Sequence, residues 1–276
     1  NDDSYTGGIG RDTYDLSATS ADAIIDLVAG TATSDDIGDD RLAETEVVVS
    51  GGGDDAITGD SESNEITAGA GADTVAGNGG DDVFIARIGD DDDSYTGGTG
   101  RDTYDLSATS ADAIVDLAAG TASSQDIGDD RLEEIESVRC GDGDDIVIAN
   151  DEANTFVGGA GNDTFVFGSL AAIGKSSGRD KILDFEIGDR IDLDDISEEF
   201  AELIDDTFAD QSIKRFVLIG EQEAFTKPGQ MQFKYEDFNG TQVTILQGNV
   251  DYDSDAEFEL ELGGRIELRD EDFVHR

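Results

Sequence analysis

The sequence predicts an all-β fold: a parallel β-solenoid of stacked coils followed by a separate β-rich unit. Three observations predict it. Residues 50–85 divide into four consecutive nonapeptides, SGGGDDAIT, GDSESNEIT, AGAGADTVA and GNGGDDVFI. The segment from Asp2 to Leu42 recurs from Asp92 to Leu132 with five mild differences, Ile9/Thr99, Ile25/Val115, Val28/Ala118, Thr33/Ser123 and Asp35/Gln125. From Phe167 onward glycine thins out and aromatic residues rise. Fixed-period self-similarity marks stacked architectures, because each repeat buries its apolar side chains only against its neighbours.

Composition narrows the partners. The 276 residues include 67 acidic and 17 basic side chains, a formal net charge of -50. That length suits one or two domains. The charge opposes compaction by self-repulsion, and it disfavours nucleic acid and anionic membranes, which need a basic footprint. The acid has two readings, ligands for hard cations and a solvated, salt-adapted surface, and both are expected together. Cys140, the single cysteine, forbids an intrachain disulfide and occupies the first slot of a nonapeptide, where a small turn residue belongs. No apolar run approaches membrane-spanning length, so membrane insertion is not expected. Residue 1 falls inside a repeat, which reads as a fragment boundary.

Taken in order, Gly7–Asp15 (GGIGRDTYD) is a full nonapeptide, and Gly98, Gly100 and Asp102 repeat its turn. Ala23–Leu27, Glu46–Val49 and Ala113–Leu117 read as strands, with loops at Gly30-Thr31 and Asp35–Asp40, as wider coils of the same parallel solenoid. A helix over Ser20–Leu27 is disfavoured by the β-branched Ile24-Ile25 pair. Nonapeptides resume at CGDGDDIVI, ANDEANTFV and GGAGNDTFV, from Cys140 to Val166. The expected division is therefore residues 1–166, a roll in two copies (about 1–90 and 91–166), and residues 167–276, a cap. In the cap, Ser197–Asp206 has the pattern of a short amphipathic helix. Arg215–Ile219, Gln230–Tyr235, Thr241–Leu246 and Glu257–Leu262 alternate like antiparallel strands.

The nonapeptide GGxGxD-x-apolar-x points to calcium. Glycines let a six-residue turn enter backbone regions closed to other residues and turn carbonyl oxygens inward. The position-six Asp adds a carboxylate, and calcium takes six to eight oxygens in loose geometry. The next three residues form a strand whose middle side chain enters the core, here Ile57, Ile66, Val75, Phe84, Tyr95 and Tyr104. Two nonapeptides make a coil, so stacked turns lie 18 residues apart. Asp55 and Asp73, Asn64 and Asp82, and Asp145 and Asp163 keep that register, and Asp93 and Asp102 continue it after a two-residue insertion at Ala86-Arg87. The turn glycines are Gly51, Gly53, Gly69, Gly71, Gly80, Gly98, Gly100, Gly141, Gly143, Gly159 and Gly161. Asn64 and Asn154, 90 residues apart, replace Asp and are expected to weaken their sites. Asp35–Asp40 and Asp90–Asp92 read as solvated loop acids. Each buried core residue contributes only about 1.5–3 kcal/mol against roughly 1–2 kcal/mol of backbone entropy per residue, so the chain is expected to fold only on binding several calcium ions.

These nonapeptides resemble those of repeats-in-toxin (RTX) proteins, and GRDKILDFEIGDRIDL (Gly178–Leu193) resembles the segment after the roll in serralysin-type proteases. FVLIGEQEAFTKPGQMQFKYED and TQVTILQGNVDYDSDAEFELELGGRIELRDEDFV continue the resemblance through Val274. It implies a right-handed parallel β-roll with a β-rich cap, calcium as ligand, and export of a secreted bacterial protein by type I secretion machinery through a C-terminal, uncleaved signal. Asp272-Phe273-Val274 resembles the acidic-apolar end of that signal, and His275-Arg276 departs from it. Carried over residue by residue, the position-six ligands are Asp12, Asp55, Asp73, Asp82, Asp93, Asp102, Asp145 and Asp163, with Asp180 last. Asp251–Asp255 lacks the Gly and Glu of an EF-hand and reads as a hairpin loop.

No catalytic constellation is expected. His275 is the only histidine, so an HExxH zinc site is impossible. Gly174–Gly178 satisfies G-x-S-x-G without a strand–turn–helix context. The expected function is a calcium-binding scaffold at the C-terminal end of a larger secreted protein. Alternatives are a self-assembling structural or adhesive surface protein, and a module of a polysaccharide-modifying enzyme.

Overall fold

A nine-residue period leaves room for only three or four extended residues between turns, and the strands have that length. The computed structural model describes residues 2–196, 216–221, 223–238, 240–251 and 253–274. The chain divides into two units, Asn1–Gly143 and Asp144–Arg276. The helix expected over Ser197–Asp206 lies outside the described residues.

The first unit contains β1 (Ser4–Thr6), β2 (Thr13–Asp15), β3 (Ala23–Asp26), β4 (Thr31–Ser34), β5 (Gly38–Ala43), β6 (Val47–Val49), β7 (Ala56–Thr58) and β8 (Glu65–Thr67). It continues with β9 (Thr74–Gly79), β10 (Val83–Ile85), β11 (Ser94–Thr99), β12 (Thr103–Asp105), β13 (Ala113–Asp116), β14 (Thr121–Ser124), β15 (Gly128–Glu133) and β16 (Ser137–Arg139). Outside β3–β5 and β13–β15, consecutive strands alternate between two sheets, and like strands of successive coils pair in parallel. One ladder stacks Val48, Ile66, Phe84 and Tyr104, and the other stacks Ile57, Val75 and Tyr95. All six expected core residues are fully buried or nearly so. The middle side chains of these nonapeptide strands thus face one narrow core, where the Phe84–Tyr95 and Tyr95–Tyr104 ring centroids are each 5.5 Å apart.

Residues 23–43 correct the expectation of wider parallel coils. β3, β4 and β5 form an antiparallel meander, and β13, β14 and β15 repeat it. Turn chemistry decides this. The Asp26 carboxylate accepts the Ala29 amide at 2.8 Å, and Gly30 closes the turn at φ 66, where an added Cβ would lie 2.6 Å from the Leu42 carbonyl. The expected loop acids therefore sit partly on strands. Asp40 is 9 % exposed and accepts the Asp3 amide and the Tyr14 hydroxyl.

The second unit opens with β17 (Ile146–Ile148), β18 (Thr155–Val157) and β19 (Thr164–Val166), then α1 (Leu170–Ile173), β20 (Lys181–Ile182) and β21 (Arg190–Asp192). Parallel coil pairing continues beyond Phe167, since β19 pairs with β21 and β18 with β20. In the connection Ser169 caps α1 by accepting the Ala172 amide at 3.0 Å. Next come β22 (Val217–Glu221), β23 (Gln230–Phe238), β24 (Thr241–Asn249) and β25 (Phe258–Gly263). β23, β24 and β25 are antiparallel, and β25 lies parallel to β20. β22 runs parallel to β23, not antiparallel as alternation suggested. Alternation carries no direction; here the Gln230 side chain holds the returning segment by accepting the Thr226 and Lys227 amides at 2.7 and 3.1 Å.

Phe84 is fully buried in the aromatic stack, whereas Ile24 is 63 % exposed on the outer face. Phe84→Ala is expected to cost about 3–5 kcal/mol and Ile24→Ala within about 0.5 kcal/mol. Thermal denaturation in millimolar calcium measures both. Equal melting of the two variants would contradict this core.

Candidate metal centre

The turns between strands bring backbone oxygens and carboxylates together. At Gly98 and Gly100 the backbone has φ 106 and 151, and an added Cβ would lie 2.3 Å from the Asn78 carbonyl oxygen and 1.9 Å from that of Gly80. Glycine is required there for conformation and for the closeness of the neighbouring turn. Asn78 takes the equivalent slot in its own turn at φ 72, which asparagine tolerates.

Position-six carboxylates link one coil to the next. The Asp55 amide donates to Asp73 at 2.7 Å, Asp73 to Asp93 at 2.8 Å, and Asp93 to Asp130 at 3.0 Å. On the other side Asn64 donates to Asp82 at 2.7 Å, Asp82 to Asp102 at 2.8 Å, and Asp102 to Glu136 at 2.9 Å. Asp12 donates to Glu46 at 2.9 Å. In the second unit Asp145 donates to Asp163 at 2.9 Å, Asp163 to Asp189 at 3.0 Å, and Asn154 to Asp180 at 2.7 Å.

Each carboxylate has a second oxygen, and these oxygens divide the turns into classes. The Oδ2 atoms of Asp12, Asp73, Asp82 and Asp102 are buried without a hydrogen-bond partner. An unpartnered buried acceptor costs about 1–3 kcal/mol, more when charged, so these atoms fit a cation. Asp55 Oδ2 accepts the Ser50 hydroxyl, and Asp93 Oδ2 accepts the Tyr95 hydroxyl at 2.8 Å. The first-position glycine makes room for the free oxygen, because a Cβ at Gly77 would lie 2.1 Å from Asp82 Oδ2. Gly158 stands in the same relation to Asp163 Oδ2, at 2.3 Å.

The two asparagine turns differ in kind. Asn64 Oδ1 accepts the Asp60 amide at 2.9 Å, and its Nδ2 donates to Asp60 Oδ1 at 3.5 Å. Asn154 makes the same pair with Asn150 at 3.2 and 3.1 Å. An amide can both accept and donate, so it closes its own turn. Gly51 and Gly141 pack against Thr19 and Thr109. Gly53, Gly69, Gly71, Gly80, Gly159 and Gly161 take positive φ, and Gly143 precedes the Asp145 turn. Cys140 is buried.

Nonapeptide spacing missed Glu46, Glu136, Asp40, Asp130 and Asp189. Tyrosines in core slots were the available signal, since a buried hydroxyl seeks a partner: Tyr14 finds Asp40 at 2.7 Å and Tyr104 finds Asp130. Asp251–Asp255 forms the β24–β25 hairpin loop, with Asp251, Asp253 and Glu257 oxygens within 4.8 Å of one another. Ser176, in the G-x-S-x-G stretch, begins a 3-10 turn and its amide donates to Glu259 at 3.1 Å.

Burial, reinforced by neighbouring carboxylates, raises Asp73 to about 7 and Asp163 to about 7. The same causes raise Asp82 to about 6. Burial likewise raises Asp130 to about 7, with Asp93 and Asp90 adding to it.

Stacked turns of inward carbonyls with a free carboxylate oxygen define a calcium-binding β-roll. The profile of the RTX calcium-binding nonapeptide repeat, in four copies, matches residues 49–84, and Ca2+ is its ion. The profile described as peptidase M10 serralysin C terminal matches residues 93–275, more than half of the chain, and the chain belongs to that family. Comparison with curated proteins finds no match.

The raised carboxyls set the pH response. In the metal-free chain they bind protons more tightly folded than unfolded, so their stabilisation is complete below about pH 4 and is lost as pH rises through about 6–7. Metal-free protein is therefore expected to show more β signal at about pH 4.5 than at about pH 7.5, and calcium affinity is expected to rise over that range as protons are released. Circular dichroism and calcium titrations test both. A β signal and affinity independent of pH would refute the assignment.

Proposed function

We propose that this chain is a calcium-folded scaffold of an exported protein, with Asp12, Asp55, Asp73, Asp82, Asp93, Asp102, Asp145, Asp163 and Asp180 as its side-chain ligands and turn carbonyls completing each shell. The single observation that carries the reading is the set of buried, unpartnered Oδ2 atoms at Asp12, Asp73, Asp82 and Asp102, with Gly77 and Gly97 leaving space for those of Asp82 and Asp102. Asn64 and Asn154 stand outside the ligand set, because their amides are used within their own turns. Asp55 and Asp93, already accepting hydroxyls, form the weaker sites.

Membership in the serralysin C-terminal family supports export by type I secretion. A chain with net charge -50 stays extended while calcium is scarce. Calcium then couples binding to folding, as metals do in small domains without disulfides. No catalytic role is assigned to these residues. The larger protein they serve, and its work outside the cell, follow from whatever is joined to them.

Removing calcium is expected to abolish the β-sheet circular dichroism near neutral pH, and millimolar calcium to restore it. Asp82→Ala is expected to lower the number of bound ions in equilibrium dialysis, whereas Asn64→Ala leaves it unchanged. A β spectrum that persists in chelator would sink the folding proposal, and equal stoichiometry for both variants would sink the ligand assignment.

A further inference from the structure

Two turns in the first unit cross from sheet to sheet without being nonapeptides. Between β7 and β8 the chain uses six residues, 59–64. Between β5 and β6 it uses three, Glu44-Thr45-Glu46, and between β15 and β16 three, Glu134-Ile135-Glu136. Neither short turn contains glycine.

Each short turn clamps a position-six Asp. The Glu136 amide donates to the Asp102 carbonyl at 3.2 Å, and the Glu136 carboxylate accepts the Asp102 amide at 2.9 Å. Glu46 holds Asp12 in the same way, at 3.2 and 2.9 Å. Asp102 Oδ1 accepts the Asp82 amide at 2.8 Å. The remaining atom is Asp102 Oδ2, buried without a hydrogen-bond partner on a residue 0 % exposed.

A main-chain carbonyl faces that oxygen. The point where a Cβ on Gly97 would sit lies 2.6 Å from Asp102 Oδ2 and 2.0 Å from the Glu134 carbonyl oxygen. Two acceptors thus converge on one small space and repel each other there. In the first copy the matching point on Gly7 lies 2.0 Å from the Glu44 carbonyl oxygen and 2.7 Å from the Asp12 carboxyl carbon. Asp12 Oδ2 is likewise buried and unpartnered.

Backbone conformation aims these carbonyls. Glu44 and Glu134 have φ 56 and 55, the left-handed region that a glutamate enters only at a cost. Their side chains are exposed. In a nonapeptide coil a glycine carbonyl takes this place: Asp82 Oδ2 and the Gly97 carbonyl oxygen lie 2.1 and 2.7 Å from the Cβ point of Gly77. Glu134 therefore stands to Asp102 as Gly97 stands to Asp82.

Taking Asp12 and Asp102 as calcium ligands, we propose that Glu44–Glu46 and Glu134–Glu136 are glycine-free calcium half-sites. The Glu44 or Glu134 main-chain carbonyl ligates the ion held by Asp12 or Asp102 Oδ2, and Glu46 or Glu136 positions that Asp. Calcium accepts carboxylate and carbonyl oxygens together and cancels the repulsion between them. Each meander has no GGxGxD turn of its own and runs directly into one of these half-sites. Calcium thereby fastens the exit of each meander to the roll.

Substitution at exposed Glu134 separates backbone from side chain. Glu134→Gly removes the carboxylate and keeps the left-handed carbonyl, whereas Glu134→Val opposes that conformation, since β-branched residues are outliers there. In equilibrium dialysis of the full chain in calcium, Glu134→Gly is expected to bind as many ions as the unsubstituted chain and Glu134→Val one fewer. Circular dichroism in calcium checks that each variant is folded. A Glu134→Gly chain that loses an ion, or a folded Glu134→Val chain that keeps every ion, overturns the proposal. If Glu134→Val stays unfolded in calcium, calcium titration of Glu134→Gly decides: binding at least as tight as in the unsubstituted chain supports the half-site, and weaker binding overturns it. Asp82→Ala, run beside them, probes a site built from nonapeptides alone. Loss of an ion there with none lost in folded Glu134→Val removes only the half-site; no loss in Asp82→Ala removes the ligand assignment and the half-site with it.

Discussion

Most of this molecule depends on one carboxylate making two different bonds. One oxygen of a position-six Asp accepts the amide of the position-six residue in the neighbouring coil, as Asp73 does from Asp55 and Asp82 does from Asn64. That bond pins coil on coil and sets the register of the strands that follow. The other oxygen of Asp73 or Asp82 is left buried and unpartnered. Stacking therefore uses one oxygen of the carboxylate and leaves the other available to a cation. Glycine at position one belongs to the same constraint, since a side chain at Gly77 or Gly97 would occupy the space of Asp82 Oδ2 or Asp102 Oδ2. The nine-residue period is the shortest chain that repeats this glycine, this Asp and one core residue.

Not every turn leaves a carboxylate oxygen unpartnered. At Asn64 and Asn154 the side-chain amide closes its own turn by donating to Asp60 and Asn150. Asp130 in the meander and Glu136 just after it continue the ladders through Asp93 and Asp102. Consequently the ladder is not broken where the nonapeptides stop. Within the first unit, turns with buried, unpartnered carboxylate oxygens alternate with segments that satisfy their own polar groups, which keeps the local density of free carboxylate oxygens down in a chain of net charge -50.

How much of this was legible follows from what a period encodes. The core from Ile57 to Tyr104 and the Asp ladders at 18 and 20 residues could be counted along the chain, because each coil contacts the next at a fixed offset. Glu136 acts across 34 residues and Asp130 across 37, offsets created by the meander pairing and invisible to a nine-residue template. The meander was misread because Ala-Ile-Ile-Asp suits either strand direction, and only the Asp26–Gly30 turn reverses it. Asparagine was read as a weaker ligand; what the nine-residue template does not show is that its side-chain amide both accepts and donates within its own turn. The direction of β22 depended on the Gln230 side chain gripping a loop, a contact between residues with no repeating partner.

In the second unit the coil pattern finds a different kind of ending. β20 pairs in parallel with β25, which begins an antiparallel sheet with β24 and β23. That sheet buries Phe258, Leu260, Leu262, Ile245 and Leu246, an apolar core needing no ion. Glu259 and Glu261, on the opposite face of β25, pair with Arg179 at 3.4 and 2.8 Å. Acids that would meet calcium in a nonapeptide turn meet guanidinium here. An edge left open after a parallel strand templates further pairing, and covering it with an ion-independent sheet stops that growth whatever the calcium level.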